Sequence, residues 1–255
     1  MILFPNAKIN IGLHVTSKRS DGFHNIHSEF YPVDLFDILE IVPNKTQQFT
    51  YSGIEINEKE NLLTKTFSLI KKHFPIENYW IHLHKQIPLG AGLGGGSSDA
   101  AFLIMGINKL ADLKLSIIEM EELALQIGSD CPFFIENKPK LVSGRGEILS
   151  PPMLDLKGKF IYLINTGIHI STQETFGSVK PFDRPFPKQL SALKNDFEEG
   201  IFDKYPSLKI VKEELLNYGA FYASMTGTGS TIYGLFDSKP KKMNQYEFEF
   251  ICELK

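Results

Sequence analysis

Residues 88–98 read P-L-G-A-G-L-G-G-G-S-S, with glycines at 90, 92, 94, 95 and 96. The apolar segment Tyr79–Ile87, which reads as a strand, precedes this stretch. Asp99–Leu110, rich in Ala, Leu, Ile and Met, follows it and reads as a helix. Glycine permits positive φ and close approach of a ligand to the backbone. The first N–H groups of a helix lack internal partners and carry partial positive charge. A glycine run entering a helix is therefore an anion cradle, and phosphate is its usual guest. A plain linker or a crowded helix–sheet contact is the alternative, but neither needs Ser97-Ser98 against a helix start.

The kind of phosphate loop follows from what surrounds it. No Lys follows the glycines, so the pattern G-x-x-x-x-G-K-[ST] is absent. Gly90, Gly92 and Gly95 fit G-x-G-x-x-G, but a dinucleotide fold needs a second parallel strand ending in an acid after the helix. Here a polar link and another helix come next. Kinase H-R-D and D-F-G motifs are missing as well.

Working outward, Ala7–Thr16 alternates, with Ala7, Ile9, Ile11, Leu13 and Val15 on one face. Lys8 and Asn10 then project together from the other. After the turn-rich Ser17–Gly22, strands are expected at Ile26–Val33, Asp37–Val42 and Gln48–Ile56. Asn61 caps a helix whose apolar positions are Leu63, Phe67, Ile70 and Phe74, and Pro75 ends it. Ser116 and Glu119 make a capping box ahead of Ile117–Ile127, with Gly128 as the terminating glycine. Asp130 precedes Pro132, which suits a cap residue for a further helix. Pro151-Pro152 breaks the pattern, so two domains are expected, 1–150 and 151–255. Beyond the break come a strand (Lys159–Asn165) and helices near Thr172–Val179, Lys188–Glu198 and Ser207–Tyr218. A strand pair around Thr226–Ser230, a short helix and a last strand, Tyr246–Leu254, complete the order. With an extra helix, this β-α-β-β-α-β skeleton fits a ferredoxin-like layer, and the class is α+β.

The chain has 255 residues, 42% of them hydrophobic, and 27 basic against 30 acidic side chains. That length buries a sizeable core without metal or disulfides. The net charge of −3 argues against a polyanion-coating protein. Two cysteines are too few for a secreted scaffold. There is no membrane-span-length apolar run and no basic-then-apolar leader in MILFPNAKIN. A cytoplasmic protein with no membrane and no nucleic-acid partner is expected.

Three blocks, P-N-A-K-I-N (5–10), P-L-G-A-G-L-G-G-G-S-S (88–98) and M-T-G-T-G-S (225–230), resemble the three motifs of the GHMP small-molecule kinases. Further stretches run in order through most of the chain: A-K-I-N-I-G-L-H-V (7–15), R-x-D-G-F-H (19–24), V-D-L-F-D (33–37), G-S-D-C-P-F-F (128–134) and G-R-G-E (144–147). Within the family, this set resembles the branch that acts on a methylerythritol linked to cytidine diphosphate. The resemblance implies a two-domain GHMP kinase fold. Its N-terminal domain is like domain 2 of ribosomal protein S5, its C-terminal domain is ferredoxin-like, and substrate and ATP meet in the cleft between them. It also implies transfer of the ATP γ-phosphoryl to the 2-hydroxyl of the erythritol unit, in non-mevalonate isoprenoid precursor biosynthesis. The enzyme is expected to be a monomer or weak homodimer.

Residue roles follow from the same resemblance. Asp130 is the base and Lys8 the partner that keeps it ionised and draws the phosphoryl oxygens. From the residues alone Asp130 is equally a helix cap and Lys8 a solvated strand residue. Asn10 contacts the diphosphate or the erythritol. His24 reads the cytosine edge, and Phe23, where the family usually has Tyr, stacks on the base. Phe176 is the second face of the cytosine sandwich, with Thr172 touching the same substrate. Pro88, Gly90, Gly92, Leu93, Gly94, Gly95, Gly96, Ser97 and Ser98 form the ATP phosphate loop. Asn61, Leu62 and Lys85 match the adenine pocket, and Gly227 and Gly229 form a second close-approach loop. ATP use implies Mg²⁺, for which no ligand is identified.

Other readings stand beside this one. They are a homoserine or mevalonate kinase, a non-catalytic nucleotide-binding sensor, and a NAD-dependent oxidoreductase resting on G-x-G-x-x-G alone. His82-x-His84 offers two metal ligands on one strand face with no third. Cys131 reads as a small buried residue rather than a nucleophile. Arg184 has no assigned role.

Overall fold

The computed structural model describes residues 1–56 and 61–255. By internal contacts the chain divides into two discontinuous units. The first comprises residues 1–7, 35–89 and 94–138, and the second 8–34, 90–93 and 139–255. Pro151-Pro152 lies inside the second unit.

Among the described residues, the first unit carries one sheet and four helices. β1 (Ile2–Leu3), β4 (Ile38–Asn44), β6 (Asn78–Lys85) and β5 (Gln48–Gly53) lie in the order β1-β4-β6-β5. β4 runs antiparallel to β6, and β5 runs parallel to it. Helices α1 (Leu62–His73), α2 (Gly95–Leu110), α3 (Ile117–Leu125) and α4 (Phe133–Glu136) complete this unit. Asn61 caps α1 through its side chain, and Leu63, Phe67 and Ile70 are buried, as their spacing implies. Phe67 meets Phe49 and Tyr79 edge to face, joining α1 to the sheet. The capping box of α3 is present in full. Gly128 is not in the left-handed region, so α3 unwinds through Gln126 without the expected glycine stop.

The second unit holds two sheets. The first contains β2 (Asn6–Lys18), β3 (His24–Phe36), β7 (Lys140–Ser143) and β8 (Ile148–Ser150) in the order β2-β3-β7-β8. β2 is buried on both faces, not one: Lys8, Asn10 and His14 are as enclosed as Ile9 and Ile11. The second sheet is antiparallel, with β10 (Tyr222–Met225), β11 (Ile232–Phe236), β9 (Phe160–Asn165) and β12 (Phe248–Glu253) in the order β10-β11-β9-β12. Helices α5 (Thr172–Ser178), α6 (Glu198–Lys204) and α7 (Pro206–Asn217) belong to this unit. Phe197, Leu208, Leu215, Ile164 and Ile232 are among its core residues.

Two expected helices are missing from this half. Residues 188–198 form only a 3₁₀ turn, Leu190–Ala192, before α6 begins at Glu198. The rest of the segment lies beside β2, where Leu13 N–H donates to the Lys194 carbonyl and Asp196 N–H to the Leu13 carbonyl. That strand-like pairing takes the backbone groups a helix would use. Residues 237–247 are also without a helix. The Glu249 carboxylate holds them instead, accepting the N–H groups of Asn244, Gln245 and Tyr246.

Candidate active site

The three glycine- and asparagine-bearing blocks meet within the second unit. Lys8 N–H donates to the Leu93 carbonyl at 2.9 Å. Asn10 N–H donates to the Thr226 hydroxyl at 3.0 Å, and that hydroxyl donates to the Gly92 carbonyl at 3.0 Å. Gly92 sits at φ +75°, and a Cβ there would stand 2.1 Å from the Thr226 carbonyl oxygen. A Cβ on Gly227 would crowd the Gly92 carbonyl and Asn10 Oδ1 in the same way. Glycine is therefore required where the second and third blocks cross.

Lys8 and Asn10 share a face of β2, as the alternation implies. Lys8 Nζ donates to Asn10 Oδ1 at 2.5 Å and lies 4.6 Å from the centre of the Phe30 ring. Asn10 Nδ2 donates to Ser28 Oγ, which donates to the Gly12 carbonyl. The chain of bonds fixes the Asn10 amide with its oxygen toward the ammonium. Both side chains are about 97–98% buried, Lys8 at 3% and Asn10 at 2% exposure.

The cytosine-reading candidates also belong to the second unit. The His24 ring stacks on Phe176 at 5.0 Å between centroids and 19° between planes. Phe197 meets Phe176 edge-on at 4.8 Å, fixing the ring from within the core. Burial, with Lys18 nearby, holds the His24 imidazole below its usual pKa, so at neutral pH it is uncharged. A neutral imidazole has one donor and one acceptor, which suits reading a base edge. Phe23 is 52% exposed, and the Arg145 guanidinium covers its ring at 4.8 Å. Thr172 begins α5, whose cap is the Ser171 hydroxyl. Gly229 lies in the β10–β11 loop at φ +86°, and Gly90 at φ +60°.

The first unit supplies the helix end. α2 starts at Gly95, four residues earlier than periodicity suggests, so Gly95, Gly96, Ser97 and Ser98 form its first turn. Its N-cap, Gly94, is in the left-handed conformation and offers no side-chain cap. The first N–H groups of a sixteen-residue helix are thus left for an anion. Asn61 and Leu62 stand at the start of α1. Leu62 packs against the first turn of α2, since a Cβ on Gly96 would lie 3.3 Å from its Cδ1. The Lys85 side chain is buried between Asp37 and Asp99, at 2.5 and 2.8 Å. Its main-chain carbonyl accepts the Ile54 N–H. Pro88 precedes the glycines and Leu93, which is buried, lies among them.

Asp130 is half-buried in the turn ahead of α4. That helix has Pro132 at its N-cap position and no side-chain cap, so Asp130 does not cap it. Lys8 belongs to the second unit and Asp130 to the first. The neighbouring Cys131 is fully buried, and burial pushes its thiol up to about 12, which leaves no thiolate for chemistry. His82 and His84 hydrogen-bond to Thr50 and Ser52 across the β5–β6 pair. Arg184 pairs with Asp196 and donates to His14 Nδ1, tying residues 184–196 to β2.

Several supporting residues were not legible beforehand. Asn195 Nδ2 donates to the carbonyls of Met225 and Gly227, both at 2.8 Å. Glu198 accepts from Ser224 Oγ and from Met225 N–H, and pairs with Lys212. Both side chains brace the loop that carries Thr226. They lie some thirty residues away in a stretch without a motif, and no local signal points to them.

The sequence matches the GHMP kinases N terminal domain over residues 61–138 and the GHMP kinases C terminal domain over residues 185–246. The chain belongs to the GHMP kinase family, whose members are ATP-dependent phosphotransferases, and has its two-domain fold. Among its relatives, the 4-diphosphocytidyl-2-C-methyl-D-erythritol kinase of Cytophaga hutchinsonii is 47% identical, with 96% of each chain covered. The enzyme of that name from Azobacteroides pseudotrichonymphae is 49% identical over 97% of this chain and 98% of its own. A crystal structure of 4-(cytidine 5'-diphospho)-2C-methyl-D-erythritol kinase superposes with TM-score 0.79 at 31% identity, covering 92% of this chain and 90% of that one. Homoserine kinase from Cytophaga hutchinsonii, at 16% identity and TM-score 0.66, shares the fold.

Proposed function

We propose that this protein transfers the γ-phosphoryl group of ATP to the 2-hydroxyl of 4-diphosphocytidyl-2-C-methyl-D-erythritol, giving the 2-phosphate in non-mevalonate isoprenoid precursor synthesis. The observation that carries the reading is near-full-length identity of 47–49% to enzymes of that name. His24 and Phe176, two of the proposed cytosine-site residues, lie together in the second unit with ring centroids 5.0 Å apart.

In this reading Asp130 takes the proton from the 2-hydroxyl, and the Lys8 ammonium attracts the transferring phosphoryl oxygens. Such transfers depend on positioning and charge stabilisation more than on covalent chemistry. Asn10 orients Lys8 and contacts the substrate. Phe23 and Phe176 flank the cytosine, His24 reads its edge, and Thr172 contacts the same molecule. Residues 88–98, with Gly227 and Gly229, receive the phosphates, and Asn61, Leu62 and the Lys85 main chain border the adenine. The functional halves are 1–150 and 151–255.

ATP brings Mg²⁺ on its phosphates. Among the described residues no group of three His, Cys, Asp or Glu side chains could cage the ion. Magnesium at nucleotide sites usually takes one or two carboxylates and the phosphates themselves. The reading extends to a cytoplasmic monomer or weak homodimer that binds no nucleic acid. Among the described residues no helix is long and apolar enough to cross a membrane, and the net charge of −3 suits small anionic ligands held by placed N–H groups.

The test is an ADP-release assay with the cytidylyl substrate, homoserine and mevalonate. Turnover with the first alone is expected; turnover with either of the others instead would overturn the assignment. Asp130→Asn should lower kcat by at least about a thousandfold with ATP affinity within threefold. Persistent turnover removes Asp130 as the base.

A further inference from the structure

Phosphoryl transfer makes no direct use of a buried charge cluster next to the first turn of α2. Lys85 Nζ lies 2.5 Å from Asp37 Oδ2 and 2.8 Å from Asp99 Oδ2. All three side chains are at least 96% buried. Asp37 sits between β3 and β4, and its other oxygen accepts the N–H groups of Gln86 and Ile87 at 2.6 and 2.9 Å. Lys85 ends β6, and Asp99 follows directly on the first turn of α2. The cluster therefore joins three separate segments through one ammonium.

The first turn of α2 has little order of its own. Gly95 and Gly96 are the weakest helix formers after proline, and no side chain caps the turn. Asp99 is the first residue past the Gly-Gly-Ser-Ser run with a side chain tied to another element. Lys85 Nζ also stands directly behind the turn, 2.9 Å from where a Cβ on Gly95 would be. Asp99 Oδ1 has no hydrogen-bond partner, so Lys85 supplies its side chain's hydrogen bond.

We infer that Lys85, clasped by Asp37 and Asp99, is a positioning residue for ATP. The triad holds the first turn of α2, and with it the N–H groups that receive the phosphates, against the end of β6. The inference rests on the reading of residues 94–98 as part of the phosphate cradle. Lys85 acts through Asp99 and touches no phosphate itself.

The experiment is ATP affinity by calorimetry without acceptor, together with steady-state kinetics, on the full chain. Asp99→Ala removes the tie and leaves a neutral Lys85–Asp37 pair. Its ATP Kd should rise at least tenfold, with kcat at saturating ATP within threefold and the acceptor KM within twofold. Asp99→Asn keeps an oxygen for the ammonium and should stay within threefold of the unmodified protein. A folded Asp99→Ala protein with unchanged ATP Kd overturns the inference, and so does an Asp99→Asn protein as weak as Asp99→Ala. Should Asp99→Ala not fold, Asp99→Ser, which keeps the Lys85–Asp37 pair, replaces it, with the same two outcomes. Gly96→Asp separates the underlying reading, because a carboxylate in the cradle repels phosphate. ATP binding that survives Gly96→Asp removes the cradle. ATP binding lost in Gly96→Asp but kept in Asp99→Ala removes the triad's role alone.

Discussion

The Thr226 hydroxyl donates to the Gly92 carbonyl oxygen at 3.0 Å while accepting the Asn10 N–H. Asn10 and Thr226, 216 positions apart in sequence, thus meet at a hydroxyl that also holds Gly92. Thr226→Val keeps the shape and leaves a buried donor and a buried acceptor without partners. Each unmet group costs about 1–3 kcal/mol. Urea denaturation should show a loss in that range or above, and kcat/KM for ATP should fall at least tenfold. A variant as stable and active as the parent would mean that this crossing does not hold the site.

Gly92 and Gly158 both have positive φ, at +75° and +80°, but differ in surroundings. A Cβ on Gly158 meets nothing within 4 Å, whereas one on Gly92 collides with the Thr226 carbonyl. Gly158→Ala should cost about 1–2 kcal/mol, the backbone penalty alone. Gly92→Ala should cost clearly more and abolish ATP binding. Comparing their thermal midpoints separates conformational strain from collision.

Burial, only partly offset by Lys85, pushes the Asp99 carboxyl from its usual 3.8 up to about 7. Burial works against the Lys85 charge too, but the Asp99 and Asp37 carboxylates hold its ammonium above the usual range. For Asp99 the folded chain binds the proton more tightly than the unfolded chain does. Its contribution is present below the unfolded value and is lost as pH rises through the folded value. Unfolding free energy of the unmodified protein should therefore fall relative to Asp99→Asn between about pH 4 and 7. Parallel curves for the two proteins across that window would refute the assignment to Asp99.

Phe176 is held by Phe197 on its inner side and carries His24 on its face. Phe176→Ala should raise the KM for the cytidylyl substrate about tenfold, the scale of one aromatic stack on a base. ATP KM should stay within twofold. A larger change in ATP KM than in acceptor KM would place Phe176 outside the substrate site.

Cys131 is completely enclosed and Cys252 half so, and burial pushes their thiols up to about 12 and about 11. Neutral iodoacetamide should leave Cys131 unlabelled in the native enzyme and label it in urea, read by mass spectrometry. Native labelling with loss of activity would restore a role for its sulfur.

Local pattern carried much of this molecule. The alternation of β2 put Lys8 and Asn10 on one face because strand side chains repeat every two residues. The box Ser116–Glu119 and the cap Asn61 are satisfied by groups three residues away, so they need nothing distant. The two missing helices show the opposite case. Lys188–Glu198 has helical composition, but Leu13 competes for its backbone through a pairing that no local window contains. Residues 237–247 depend on Glu249 and on Tyr162 of β9 in the same way. α2 starts four residues before its periodic pattern, at Gly95, because tertiary ties to Lys85 and Leu62 override the low helix propensity of glycine.

By itself, the sequence determined the family and placed a glycine-rich run ahead of a helix. Those depend on which groups occur at which spacing. Tertiary structure alone decided why the blocks contain glycine where they do, and what Lys85 is for. Gly92 must lack a Cβ because Thr226 crosses it, and Lys85 turns inward because two buried carboxylates require a cation. Both reasons are contacts between residues distant along the chain, and a linear pattern does not record them.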